Sequence, residues 1–239
     1  MHAFYYLAAL PEYMQPLREE VEEVVKSEGW TKAGLDQMHR VDSFIKESQR
    51  LNPLSNRKWS SSLSFVDLTT HIFLVLLTRI AVNDFTFSDG TTIPRGTTIS
   101  ASMHNAHFND KTYEDPLRFD GFRFSKMRES SSKKVGMVSS SQDHLSFGHG
   151  RHVCPGRYFA ACELKLMFAH IVTTYDMKLE IEGVRPPDMW VINKSTTMGW
   201  RHVVNMWLPP TPETMNLRGS RCRIMDAPRA RYVFFYFFF

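Results

Sequence analysis

The densest run of chemically capable residues is Phe147-Gly148-His149-Gly150-Arg151-His152-Val153-Cys154-Pro155-Gly156-Arg157. The two glycines ahead of the cysteine let the backbone turn tightly and come close to a flat ligand. Cys154 lies just before a predicted helix that opens on Pro155, a residue favoured at the first helical position. A thiol so placed faces helix N–H groups without partners and the positive end of the helix dipole, and both favour a thiolate. Such a thiolate suits the axial position of haem iron. Other chemistries use the same residue types. A zinc site could draw on His144, His149, His152 and Cys154, but the spacings are not those of common zinc modules and no further Cys or His pair follows. A Cys/His nucleophile pair would need an orienting third group, and none stands out beside His152. A free cysteine in isolation packs as a small hydrophobe.

These residues need elements to hold them. Leu17, Val21, Val24 and Val25 form one helical stripe, with Glu19, Glu20, Glu22 and Glu23 on the other face and Gly29 as a stop. A second amphipathic helix is predicted over Asp36–Leu51, with Met38, Val41, Phe44, Ile45 and Leu51 apolar and Pro53 beyond it. Glu47 and Arg50 lie three apart on its flank, close enough to pair. From Ile80 to Ser100 the pattern turns to strands, punctuated by turns at Asp89-Gly90 and Ile93–Gly96. Asn105–Ser125 reads as loop, and Ser130–Ser141 as a Ser/Lys linker. A long apolar helix is expected over Pro155–Tyr175, followed by a strand at Met177–Ile181 that Val203–Leu208 can pair with. Cys162 and Trp190, Trp200 and Trp207 read as packing residues, and His104 and His107 as surface or structural ones.

The run Phe147-x-x-Gly150-x-His152-x-Cys154-Pro155-Gly156-Arg157 resembles the haem-binding signature of the cytochromes P-450, in a form similar to the fungal branch. Three further segments agree in order. Glu47-Ser48-Gln49-Arg50 resembles the family's Glu-x-x-Arg pair on the K helix. Phe119-Asp120-Gly121-Phe122-Arg123-Phe124 is similar to the later segment whose Arg completes a three-way ion pair. Phe159-Ala160 through Glu163 resembles the start of the L helix.

The resemblance implies a fold that is mainly α with a small β region, the C-terminal half of the P-450 fold. Cys154 would be the axial thiolate on haem b iron, with Phe147 beside the sulfur and His152 toward a haem propionate. Gly150 and Gly156 would leave clearance beside the porphyrin. Glu47, Arg50 and Arg123 would form a buried structural charge network. No catalytic residue beyond the haem ligand is expected. The intact enzyme would be a monooxygenase placing one atom of dioxygen in a small apolar substrate, with NADPH-cytochrome reductase as electron donor. It would sit at the endoplasmic reticulum membrane as a monomer.

The resemblance implies that residues 1–217 correspond to the family from about the J helix onward, without the I-helix acid–alcohol pair. Residues 55–78 read as a non-family insertion, a retained intron or misplaced exon boundary that transcript reads joining Leu54 codons to Arg79 codons would reveal. Residues 218–239 read as a basic and aromatic tail outside the family pattern. The alternative expectation is therefore a truncated or mis-spliced remnant that is catalytically inactive and binds haem poorly or not at all.

Composition excludes several other classes. The chain has 239 residues, 43% of them hydrophobic, with three cysteines, which cannot build a disulfide framework. The apolar run Leu68–Thr78 has eleven residues, against about 20 for a bilayer span. The apolar N-terminus lacks the basic start of a signal peptide and meets Pro11 and Glu12. No anchor is thus expected in this chain, which by itself would be cytoplasmic or of unknown location. The net charge of +4 equals that of Arg218–Arg231, with five Arg and one Asp. The basic balance is therefore no argument for a nucleic-acid partner, and none is expected.

Overall fold

The computed structural model describes residues 2–53, 78–130 and 135–179, together with the backbone of 205–207. It is mainly helical with short strand pairs. The chain divides into two compact units, Met1–Ile45 with Cys162–Phe239, and Lys46–Ala161.

In the first unit, α1 (His2–Ala9) and a 3-10 turn (Pro11–Tyr13) lead into α2 (Met14–Glu28). The predicted stripe is the buried face of α2. Leu17 and Val21 are fully buried and Val24 nearly so, while Gly29 ends the helix in the left-handed region at φ 68°. That conformation costs glycine little and other residues more. The helix expected over Asp36–Leu51 is two helices. α3 (Lys32–Gln37) starts where the Thr31 side chain accepts the Gly34 N–H at 3.1 Å. Met38 leaves helical geometry (ψ 78°), and α4 (His39–Leu51) begins afresh. The fresh start is held by Glu20, whose carboxylate accepts the N–H groups of Arg40 (2.7 Å) and Val41 (2.9 Å). An acceptor at those orphan donors is what a helix start needs. Sequence periodicity does not register such a break, because Met38 and Val41 stay in phase across it.

The later part of α7 (Arg157–Thr174) belongs to this unit. Phe168 stacks on Phe4 at 5.2 Å and leans on Phe44 at 5.4 Å. With Leu7, Leu17, Val21, Met38, Val41 and Val172 they make the core. Arg18 covers the end of α7, donating to the carbonyls of Val172 (2.7 Å) and Tyr175 (2.8 Å) and to Asp176 (2.6 Å). Those carbonyls are the acceptors a helix end leaves open. Lys165 is buried because its ammonium reaches the Leu35 carbonyl at 2.7 Å and Asp42 at 3.5 Å. The strand β5 (Asp176–Lys178) pairs antiparallel with β6 (Asn205–Trp207), in the register Met177↔Met206.

The second unit contains the C-terminal turns of α4 and two nested hairpins. β1 (Thr78–Ile80) pairs antiparallel with β4 (Thr98–Ser100), and inside them β2 (Phe85–Thr86) pairs with β3 (Thr92–Ile93). The inner turn closes through Phe87 N–H to Thr91 O and Gly90 at φ 89°. Two helices interrupt what reads as loop between Asn105 and Ser125. α5 (Met103–His107) is capped by Ser102 accepting the Asn105 N–H, and α6 (Arg123–Ser130) starts at the network arginine. α5 is short and α6 carries mostly polar residues, so neither leaves an apolar period to read.

Residues 135–141 are held in place rather than linking freely. Met137 is fully buried, and the Lys46 ammonium donates to the carbonyls of Val135 and Gly136 at 2.9 and 3.1 Å. No helix among the described residues is long and apolar enough to cross a membrane. The proposed insertion, the tail, Cys222, Trp190 and Trp200 and the side chain of Trp207 lie outside the described residues.

Candidate functional site

Cys154 sits at the end of a tight excursion of backbone. The Leu145 carbonyl accepts the Gly148 N–H at 2.8 Å, and the Phe147 carbonyl accepts the Cys154 N–H at 2.8 Å. Between them the chain turns through a 3-10 segment (Gly150–His152), with Gly148 at φ 79° and Gly150 at φ 71°. Both angles lie where a side chain costs about 1–2 kcal/mol, which accounts for glycine at both places. Cys154 then hands over to α7. Its carbonyl accepts from the Arg157 guanidinium at 2.9 Å, and the same side chain reaches Val138 O at 3.2 Å.

The thiol of Cys154 is exposed, as are Gly150, His152 and Gly156, while Phe147 is half-buried. A Cβ placed on Gly150 or on Gly156 would meet no atom within 4 Å. Open space therefore lies at both of the glycines that flank Cys154 in sequence, and Phe159, five residues on, is 75% exposed. An exposed cysteine with a glycine on either side in sequence, each with open space at its Cβ position, leaves room for a flat macrocycle bound through its metal. These residues fit haem. The His144, His149, His152 and Cys154 alternative gains nothing from the geometry. His144 is fully buried while the other three are exposed, and no metal-binding cluster occurs among the described residues.

Behind the loop lies a buried charge network. The Arg50 guanidinium holds Glu47 in a two-pronged pair, Nε to Oε2 and Nη2 to Oε1, both 2.8 Å, with both side chains fully buried. Arg123 Nε joins at Oε1 (3.1 Å), and the Asp120 N–H donates to the same oxygen at 3.2 Å. The remaining donors go to backbone. Arg50 Nη1 reaches His107 O (2.6 Å) and Pro116 O (2.7 Å), and Arg123 reaches the carbonyls of Glu114 and Arg118. The Tyr113 ring lies 4.8 Å from the Arg50 guanidinium, and burial pushes its hydroxyl well above the usual range. One carboxylate and two guanidiniums so fix α4, α6 and the loop 114–120 together.

Two histidines lie here, His107, expected in a surface or structural role, and His144, weighed only as a zinc ligand, and both are buried. His107 is fully buried. Its Nδ1 lies 3.1 Å from Arg50 O, and its Nε2 accepts the Leu145 N–H at 2.8 Å. His144 stacks on it at 5.0 Å with rings 12° apart, edge-on to Phe124. Burial depresses both, His107 to about 4 and His144 well below the ordinary value, with Arg50 and Lys46 adding positive charge. No motif marks either residue, since His107 bonds to backbone and His144 packs against rings with neither ring nitrogen hydrogen-bonded among the described residues. Cys162, expected in the core, is half-buried.

A mainly helical chain that presents one exposed cysteine on bare glycine backbone at a helix start has the arrangement of a haem-thiolate protein. The chain belongs to the cytochrome P-450 family, whose model matches residues 1–72 and 68–200. It is 47% identical over 191 residues to cytochrome P-450 monooxygenase 151 of Postia placenta, covering 79% of this chain and 35% of that protein. It is 40% identical over 197 residues to cytochrome P-450 monooxygenase janQ of Penicillium janthinellum, covering 81% and 36%. It is 39% identical over 197 residues to ent-kaurene oxidase of Gibberella intermedia, covering 80% and 34%. The chain thus spans about a third of the length of the curated relatives it matches.

Proposed function

We propose that this chain is the haem-thiolate part of a fungal-type monooxygenase, the C-terminal half of the P-450 fold over residues 1–217. Cys154 is the axial ligand of haem b iron. The observation that carries this is the exposed Cys154 thiol between Gly150 and Gly156, each with open space where a Cβ would stand. When bound, haem supplies the activation of dioxygen and the insertion of one oxygen atom into a small apolar substrate, with electrons from a reductase that uses NADPH. The chain's own residues hold and orient. The Phe147 carbonyl fixes the Cys154 backbone, the Phe147 ring shields the sulfur, and exposed His152 offers a donor to a propionate. Glu47, Arg50 and Arg123 hold the scaffold behind the loop.

The intact protein works at the endoplasmic reticulum membrane in this reading. Residues 55–78 and 218–239 are additions to the family pattern. The family match comes in two stretches that overlap at residues 68–72, inside the first of these segments, and it ends at residue 200, before the second.

The test is reconstitution of the purified chain with haem, followed by reduction under carbon monoxide. The expected result is the red-shifted Soret band of thiolate-ligated haem, absent in Cys154→Ser. No such band, or the same band in the Ser variant, refutes the proposal and leaves a remnant that binds haem poorly or not at all.

A further inference from the structure

We infer that His107 is a positioning residue for the cysteine loop, tying the strand of backbone that leads to Cys154 onto the end of α4. The inference rests on Cys154 being the iron ligand only for its chemical consequence. The tie itself is a matter of this chain's geometry.

The ring's proton is assigned by its partners. Arg50 O can only accept, so Nδ1 carries hydrogen and donates across 3.1 Å; the Leu145 N–H can only donate, so Nε2 is bare and accepts across 2.8 Å. One neutral tautomer satisfies both bonds, and a charged imidazole would lose the one to Leu145. Burial, with the positive charges of Arg50 and Lys46, holds the ring neutral, with a value of about 4.

From Leu145 the path to the thiol is short. Leu145 O accepts from Gly148 N–H, and Phe147 O accepts from Cys154 N–H. His107 therefore anchors the near end of the turn whose far end is the cysteine. The anchor is itself held, since Arg50 Nη1 donates to His107 O at 2.6 Å while His107 Nδ1 donates back to Arg50 O. His144, the residue before Leu145, lies flat against the ring at 5.0 Å. A ring that merely filled space would need neither polar contact.

The two ring nitrogens can be tested separately in the full chain. Glutamine places its carbonyl oxygen near the position of Nε2 and can keep the Leu145 bond. Asparagine places its amide near Nδ1 and cannot. Amide hydrogen exchange, read peptide by peptide without added haem, is expected to accelerate about tenfold in the peptide covering Leu145–Cys154 for His107→Asn. It should stay near wild type there for His107→Gln, with peptides of residues 2–37 unchanged in both. In haem-loaded protein, His107→Asn is expected to lose thiolate-type Soret intensity that His107→Gln retains.

Equal acceleration in both variants, or acceleration spread evenly over residues 46–161, overturns the inference and leaves His107 a packing residue. Wild type that takes up no haem refutes the ligand role of Cys154, while the exchange measurement still decides whether His107 holds the loop.

Discussion

Glu47 is the place where one substitution tests the scaffold most directly. Its Oε1 accepts from Arg50 Nη2, Arg123 Nε and Asp120 N–H, while its Oε2 accepts only from Arg50 Nε. In Glu47→Gln the amide oxygen takes the first, crowded position. The NH2 group then faces the Arg50 Nε–H, donor against donor. One charge-assisted bond is lost, worth about 1.5–3 kcal/mol, and two buried guanidiniums are left without a counter-charge. Glu47→Ala removes all four bonds and falls in the range of about 3–5 kcal/mol for breaking one partner of a buried ion pair. Against about 5–15 kcal/mol for a whole domain, the alanine variant approaches the limit of folding.

Equilibrium urea unfolding of both variants, at low and at high salt, is the assay. The expected order is wild type, Gln, Ala, with little salt dependence because the pair is withdrawn from solvent. Lys126 and Asp120 form a contrasting pair at 2.9 Å, with the lysine side chain 66% exposed, and Lys126→Ala should cost no more than about 0.5 kcal/mol. If Glu47→Ala lies within about 1 kcal/mol of wild type, the charge network does not hold this unit together.

Two more measurements separate stability from ligand binding. Histidines depressed in the folded state bind fewer protons there than in the unfolded chain, so stability rises with pH between the folded and unfolded values. His107 and His144 contribute fully above about 6.5, the ordinary value. Their contribution is lost as pH falls toward about 4, the value His107 takes. At 1.36 kcal/mol per pH unit, His107 accounts for about 3 kcal/mol. His144→Phe, which removes a ring facing His107, Lys46 and Arg50, should flatten the acid limb of stability against pH, and an unchanged slope would count against it. Gly150→Ala should cost about 1–2 kcal/mol from its left-handed backbone. Gly156→Ala, with open space and no such angle, should unfold within about 0.5 kcal/mol of wild type yet take up haem more weakly. Unimpaired uptake would remove the flat-ligand reading of that face.

The parts of this molecule that were legible in the sequence are those where chemistry or period repeats. The α2 stripe, the turns at Gly90 and Gly96, and the pairing of residues near 177 with those near 206 follow from spacing and turn residues alone. The Cys154 segment stands out by its cluster of Gly, His and Cys, while Glu47, Arg50 and Arg123 stand out only through the resemblance to the P-450 family. The break at Met38 was not legible, because its cause is Glu20, some twenty residues away, capping the new helix start. The burial of Met137 within residues 135–141 was not legible either. The neighbouring serines read as solvent-loving, and the ammonium of Lys46 on another element holds the Val135 and Gly136 carbonyls.

His107 shows the physical limit most clearly. Its two ring bonds go to main-chain atoms of Arg50 and Leu145, and main-chain atoms leave no mark in composition or periodicity. Yet this residue joins the two features that were legible. Arg50 reaches the His107 carbonyl with its guanidinium and accepts from its ring, while the ring accepts the first amide of the turn toward Cys154. The charge network and the cysteine turn are thus successive links of one hydrogen-bonded chain. Loosening Glu47 loosens Arg50 and with it the ring that anchors Leu145. In this unit, the hydrogen bonds that hold the fold and those that lead to the thiol meet at Arg50 and His107.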